Sequence, residues 1–134
     1  MTVDGLTTIL SSFEPKETMD RLESAVKAKS LTVFARVDHA AGAVAAGLKL
    51  RPTELLIFGN ARGGTPLMEA DQRIGIDLPL KALVYKDDAG KVWLAYNDPS
   101  WLARRYGLSA AVAANIEALS KALGGFAAGA AKST

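Results

Sequence analysis

Lys81-Ala82-Leu83-Val84-Tyr85-Lys86-Asp87-Asp88-Ala89-Gly90-Lys91-Val92-Trp93-Leu94-Ala95-Tyr96 is the stretch on which the fold turns. Lys81 to Lys86 and Lys91 to Tyr96 read as two strands. Asp87-Asp88-Ala89-Gly90 is the hairpin connection between them, with glycine where a left-handed residue is wanted. Upstream, Thr53 to Phe58 is another strand, and the turn-rich Gly59-Asn60-Ala61-Arg62-Gly63-Gly64 follows it. Thr65-Pro66 then announces a short helix through Glu69 to about Arg73, with threonine as cap and proline at the first helical position.

Nearer the N-terminus, Leu31, Val33, Ala35 and Val37 alternate with Thr32, Phe34 and Arg36, the period-two pattern of a strand with one buried face. Leu6 to Leu10 reads as a first strand. Glu14-Pro15 opens an amphipathic helix in which Met19, Leu22 and Val26 fall at helical spacing, with Lys27 and Lys29 near its end. Ala40 to Leu48, rich in alanine, reads as a short helix or compact loop. Downstream of the hairpin, Asn97-Asp98-Pro99 caps a helix carrying Trp101 and Leu102, and Gly107 is its left-handed terminator. A last helix starts at Ser109, places Val112, Ile116, Leu119 and Leu123 on one side and ends at Gly124-Gly125. Residues 126–134 read as a frayed, flexible tail beyond a single domain over residues 1–125. This order predicts an α+β domain: a mostly antiparallel sheet with helices on one face.

The chain has 134 residues, 49% hydrophobic and 22% charged, which is ordinary for one soluble globular domain. Sixteen Lys and Arg against fourteen Asp and Glu leave a net +2. The pI near 9.0 therefore reflects a small excess and names no partner. Cysteine is absent, which removes disulfides, thiolate nucleophiles and sulfur-bound zinc. The longest run without a charged residue, Tyr106 to Ile116, is eleven residues. That is far short of the ~18 apolar residues of a bilayer span, so no membrane partner is expected. The first basic residue is Lys16 and no apolar signal region precedes it, so a cytoplasmic setting is expected.

Candidate chemistry lies where strands end. The single histidine sits in Asp38-His39, where the doublet is either a ligand or catalytic pair or a helix cap beside a satisfied imidazole. Asn60 to Thr65 offers an amide, a guanidinium, a hydroxyl and backbone donors for an anion, or else an ordinary turn with a threonine cap. Neither a Walker A loop nor GxGxxG is present. Glu54 shares strand parity with Leu56 and Phe58, and Lys81 with Leu83 and Tyr85. The two charges are therefore expected either to meet as a structural or functional pair or to sit apart at solvated strand ends. There is no GxSxG elbow, and capping accounts for Ser100 and Ser109. One histidine without cysteine does not supply a zinc set, and Asp87-Asp88 is more simply a turn, so no metal and no cofactor are expected. Trp93, Tyr85 and Tyr96 lack the charge surroundings of a base-stacking platform, and no nucleic-acid partner is expected.

Asp38-His39-Ala40-Ala41-Gly42, Leu50-Arg51-Pro52-Thr53-Glu54-Leu55-Leu56-Ile57-Phe58-Gly59-Asn60, Gly64-Thr65-Pro66-Leu67-Met68, Asp77-Leu78-Pro79-Leu80-Lys81 and Tyr96-Asn97-Asp98-Pro99 together resemble the domain of unknown function 302 family, from about Ala35 to Leu108. The resemblance implies a bacterial or archaeal α+β domain of β-α-β4-α type, similar in fold to one half of the TATA-box-binding protein and often dimeric, with no established activity. Asp38, His39, Glu54, Asn60, Thr65, Pro66, Lys81, Asn97 and Asp98 match the family pattern, whereas Arg62-Gly63 falls where the family varies. Similarity in fold to a DNA binder does not imply DNA binding.

Two functions follow as expectations. One is a small-molecule binding module, homodimeric, taking an unidentified and anionic ligand in a cleft lined by Asp38, His39, Glu54, Asn60, Thr65 and Lys81. The other is an enzyme with His39 or Glu54 as general base and Lys81 as electrostatic stabiliser.

Overall fold

In the computed structural model, which describes residues 2–133, the Lys81–Tyr96 stretch folds as the expected hairpin. Tyr85 pairs with Trp93 and Leu83 with Ala95, and Gly90 takes φ +82° in the connection. The Asp87 carboxylate organises the turn by accepting the N–H groups of Ala89 and Lys91 and the Trp93 indole N–H, at 3.0, 2.8 and 2.8 Å. These donors favour the charged form and hold the Asp87 carboxyl below its usual range. A turn role for Asp87 thus has a physical basis in three hydrogen bonds.

In chain order the elements are β1 (Leu6–Leu10), α1 (Pro15–Ala28), β2 (Thr32–Asp38), α2 (His39–Ala45), β3 (Thr53–Gly59), α3 (Ala61–Ala70), β4 (Leu80–Lys86), β5 (Val92–Asn97), α4 (Pro99–Arg105) and α5 (Ala113–Ala131). Short 3-10 turns at Gln72–Ile76 and Ala110–Val112 complete the set. The five strands form one antiparallel sheet in the order β1-β5-β4-β3-β2. This is the α+β architecture expected from the element order.

Met19, Leu22 and Val26 of α1 and Leu123, Phe126, Ala127 and Ala130 of α5 pack on the sheet face carrying Leu56, Phe58, Ala82, Val84 and Leu94. Burying each large side chain of this set contributes about 1.5–3 kcal/mol before conformational entropy is charged against it. A second cluster joins Leu67, Ile74, Leu102, Val112 and Ile116, and so ties α3 and α4 to the start of α5. Gly107, at φ +60°, closes α4 as expected, with the Leu108 N–H reaching the Ala103 carbonyl at 2.9 Å.

The sequence expectations fail at three places. First, α5 runs through Gly124 and Gly125 to Ala131 instead of stopping there. Residues 126–131 are no tail: Phe126, Ala127, Ala130 and Ala131 are buried. Their interaction with α1 overrides the two weak helix formers. Arg21 of α1 donates to the carbonyls of Gly129 and Ala130 at 2.9 and 3.2 Å, and the Ser12 N–H to that of Ala131 at 2.7 Å, so the helix end is satisfied. Thr134, also assigned to the tail, lies outside the described residues.

Second, α3 starts at Ala61 and not at Thr65-Pro66. The Asn60 side chain accepts the Gly63 N–H at 2.8 Å and is the cap, which leaves Pro66 inside the helix. Third, β2 contains a bulge: Val33 pairs with Phe58 and Ala35 with Ile57, so Phe34 is an extra residue. The strict alternation read from the sequence breaks there. Arg36 joins the helix-covered face and Ala35 and Val37 the opposite one.

Candidate functional site

Arg36, turned toward α1 by the bulge, is the hub of the polar interactions at the β2–β3 end. Its guanidinium donates to both Glu54 oxygens, from Nε at 2.8 Å and Nη2 at 3.0 Å, and from Nη1 to Asp20 at 2.8 Å and Glu23 at 3.1 Å. Lys16 and Lys27 close the outer side of this network through Asp20 and Glu23. Hydrogen bonds from those lysines and from Arg36 hold the Asp20 and Glu23 carboxyls below their ordinary values. The same contacts, with Glu54 foremost, raise the proton affinity of Arg36. Glu54 is therefore occupied on both oxygens by a permanent cation, an arrangement that suits structure and not proton abstraction.

Lys81 does not reach Glu54. Glu54, Leu56 and Phe58 face the helices, whereas Lys81 pairs with Ile57 and belongs to the opposite face. Its ammonium donates to the carbonyls of Pro79 and Asp77, at 3.2 and 3.4 Å. Each charge keeps its parity with the apolar residues of its own strand, but the register between strands sets the two on opposite sides of the sheet. Asp38 caps α2 by accepting the Ala41 N–H at 2.9 Å, and His39 is the exposed first residue of that helix. Of the two alternatives for the doublet, the helix cap is the one formed, beside an exposed imidazole.

The six expected site residues consequently do not share one concavity. Asp38 and Glu54 meet along a hollow of about 480 Å³ with Arg36, Val44, Leu50 and Pro52. Asn60 lies at the other end of β3, six residues or about 20 Å away at strand rise, and lines a different cavity. His39, Thr65 and Lys81 line neither.

That second cavity is a groove of about 650 Å³. Its walls are Leu31 and Phe34 at the β2 bulge, Met68 of α3, Leu78, Pro79 and Leu80 before and at the start of β4, and Ala118, Leu119 and Ala122 of α5. Gly59, Gly63, Gly64 and Gly75 form much of the remaining lining, with Asn60, Arg62 and Asn115 as its polar groups. An apolar concavity with a few polar groups, in the 300–1,000 Å³ range, is the usual make-up of a small-molecule site. Sequence reasoning flagged Asn60 and Arg62 but missed the walls. They come from segments far apart in the chain, and the one available signal was the density of glycine and alanine at the facing positions.

A further polar cluster was also missed. Asp77 accepts the Tyr106 hydroxyl and Arg105 Nη1, the latter at 2.9 Å. The bond to Asp77 raises the Tyr106 phenol above its usual value. This cluster is at the surface and borders no cavity described above. Among the described residues no group of three or more His, Asp or Glu side chains could hold a metal ion, and no helix is long and apolar enough to cross a membrane.

A five-stranded antiparallel sheet backed by α1 and α5, with a lateral apolar groove, makes this an α+β domain. The chain belongs to the family described as domain of unknown function DUF302, whose model matches residues 7–125. The crystal structure of an uncharacterized conserved DUF302 protein from Bacillus stearothermophilus is similar over 92% of this chain and 96% of that one, with a TM-score of 0.80. At 21% identity that likeness concerns the fold. Over 111 residues the chain is 52% identical to "Fluoride-specific ion channel FluC 1" of Brucella suis biovar 1 (strain 1330), covering 81% of this chain and 44% of that protein. The protein of the same name from Brucella abortus biovar 1 (strain 9-941) matches at 52% identity over 81% of this chain and 41% of its own length. The chain thus spans less than half the length of these relatives.

Proposed function

We propose that this chain is a small-molecule-binding domain whose ligand occupies the groove between α3, α5 and the β2 bulge. The observation that carries this reading is the groove itself: about 650 Å³ of concave, mostly apolar surface with one guanidinium and two amides. Asp38 and Glu54, by contrast, are engaged in a cap and an ion pair. Ala118 is exposed at the groove's wall, so Ala118→Trp fills the space without disturbing the core. Thermal shifts across a panel of amphipathic metabolites test the proposal. Compounds that raise the melting temperature of wild type and not of Ala118→Trp support it. A panel that stabilises both proteins equally would remove the groove from consideration.

The domain acts as a homodimer in this reading, through the sheet face opposite the helices. On that face Val37 pairs with Leu55, Leu55 with Leu83, Leu83 with Ala95 and Ala95 with Thr8. The adjoining row runs Thr53, Tyr85, Trp93, Leu10. None of these side chains enters either core cluster. A second copy laid face to face, at the usual ~10 Å between sheets, gives such a surface the partner it lacks. Fluoride conduction is not carried to this chain from the Brucella proteins, because most of their length lies outside the match. We assign the domain to ligand binding beside a channel in those proteins.

A further inference from the structure

The geometry points to an anionic head group on the groove's ligand: we propose that it is an apolar carboxylate whose acid pairs with Arg62. This inference rests on the groove being the ligand site. Arg62 is the one charged residue among those lining the groove, and no acidic side chain lines it. Among the described residues Arg62 enters no ion pair, so its guanidinium has no internal carboxylate to displace. The Asn60 side chain and carbonyl already take the N–H groups of Gly63 and Gly64, which leaves the guanidinium as the cation on offer to an incoming acid. A guanidinium presents paired donors matched to the two oxygens of a carboxylate.

The rest of the lining, together with Gly64, accounts for the apolar part of the ligand. Phe34, Met68, Leu78 and Leu119 offer hydrocarbon contacts without hydrogen-bonding groups. Gly64 lies inside α3, where glycine costs about 1 kcal/mol relative to alanine. A Cβ there would meet Met68 Cε at 3.5 Å and Leu78 Cδ1 at 3.6 Å, which is ordinary contact. Neither backbone nor packing therefore demands glycine at 64. What an alanine would take away is space in the groove, and this gives the weaker helix former a purpose.

Isothermal titration with octanoate, 1-octanol and acetate, on wild type, Arg62→Gln and Ala118→Trp, tests both levels. Wild type is expected to bind octanoate about tenfold more tightly than 1-octanol and to show no binding of acetate. Arg62→Gln should bring octanoate down to the level of the alcohol and leave the alcohol unchanged, while Ala118→Trp should lose both. Both variants sit at exposed positions, and their melting curves check that they fold. Equal binding of octanoate and 1-octanol by wild type, or octanoate binding that ignores Arg62→Gln, overturns the anionic head and leaves the groove standing. Absence of binding by either compound, or binding indifferent to Ala118→Trp, overturns the groove and the head group together.

Discussion

Replacing Arg36 by methionine keeps much of its aliphatic volume and removes the cation that joins β2, β3 and α1. Three carboxylates then lose their common partner: Glu54, held bidentately at 2.8 and 3.0 Å, Asp20 at 2.8 Å and Glu23 at 3.1 Å. Their side chains are 21%, 46% and 23% exposed, against 26% for Arg36. Breaking a fully buried pair costs ~3–5 kcal/mol, and an exposed pair contributes ~0–1 kcal/mol. Glu54 and Glu23 lie between these limits while Asp20 adds little, so the expected loss is about 2 kcal/mol. For a domain of this size that lowers the melting temperature by roughly 6–10 °C. Urea denaturation at neutral pH, with Glu54→Leu and the double variant completing a cycle, measures it. The double variant should recover most of the loss, because the stranded carboxylate is gone. An Arg36→Met variant within about 0.5 kcal/mol of wild type, or no coupling to Glu54, would refute the structural assignment of this pair and return Glu54 to the pool of available bases.

The depressed acids give this network a pH signature. Asp20 and Glu23 sit below their ordinary values of 3.8 and 4.5, so their contribution is complete above those values and is lost as pH falls through the lower folded-state ones. The urea midpoint should hold from pH 7 to pH 5 and decline below about pH 4; an unchanged midpoint at pH 3 would contradict the hydrogen-bonding pattern. Phe126→Ala removes a buried ring that meets Phe58 edge-on at 6.1 Å and should cost about 3–4 kcal/mol by chemical denaturation. A cost under 1 kcal/mol would mean that residues past Gly125 are dispensable after all. Gly64→Ala should raise the melting temperature by a few degrees while weakening octanoate several-fold in the same titration; a gain in both refutes the spatial role given to Gly64. Leu83→Arg places a charge at the centre of the sheet face opposite the helices and should convert the proposed homodimer to monomer by light scattering. A dimer that survives it lies elsewhere on the molecule.

The hairpin, the β3 strand and α1 were legible because each is specified locally: Gly90 by its φ, Met19, Leu22 and Val26 by spacing, Pro15 by its place at a helix start. The failures have other causes. Gly124-Gly125 looks like a helix end until Phe126 and Ala130 find α1, and Thr65-Pro66 looks like a helix start until Asn60 caps the chain five residues earlier. The first is a tertiary effect that outweighs propensities of about 1 kcal/mol per residue, and the second is a local competition between two caps that Asn60 wins through the Gly63 N–H. The candidate site suffered most, because it required the register between strands and the phase within β2. Alternation gives the face only up to a bulge, and Phe34 breaks it. Of the polar residues that stand out by their chemistry, Asp38 and Asn60 are caps, Glu54 is an ion-pair partner and Lys81 a donor to backbone carbonyls, whereas most of the groove lining is small and apolar residues that no motif marks.

Mapping amide shifts during an octanoate titration by nuclear magnetic resonance asks directly where a ligand goes. Saturable shifts are expected at Gly63, Gly64, Asn115 and Leu119, with Asp38, His39 and Ala41 unmoved. Shifts concentrated at Asp38, His39 and Ala41 with the α3 and α5 amides silent would contradict the groove as the ligand site.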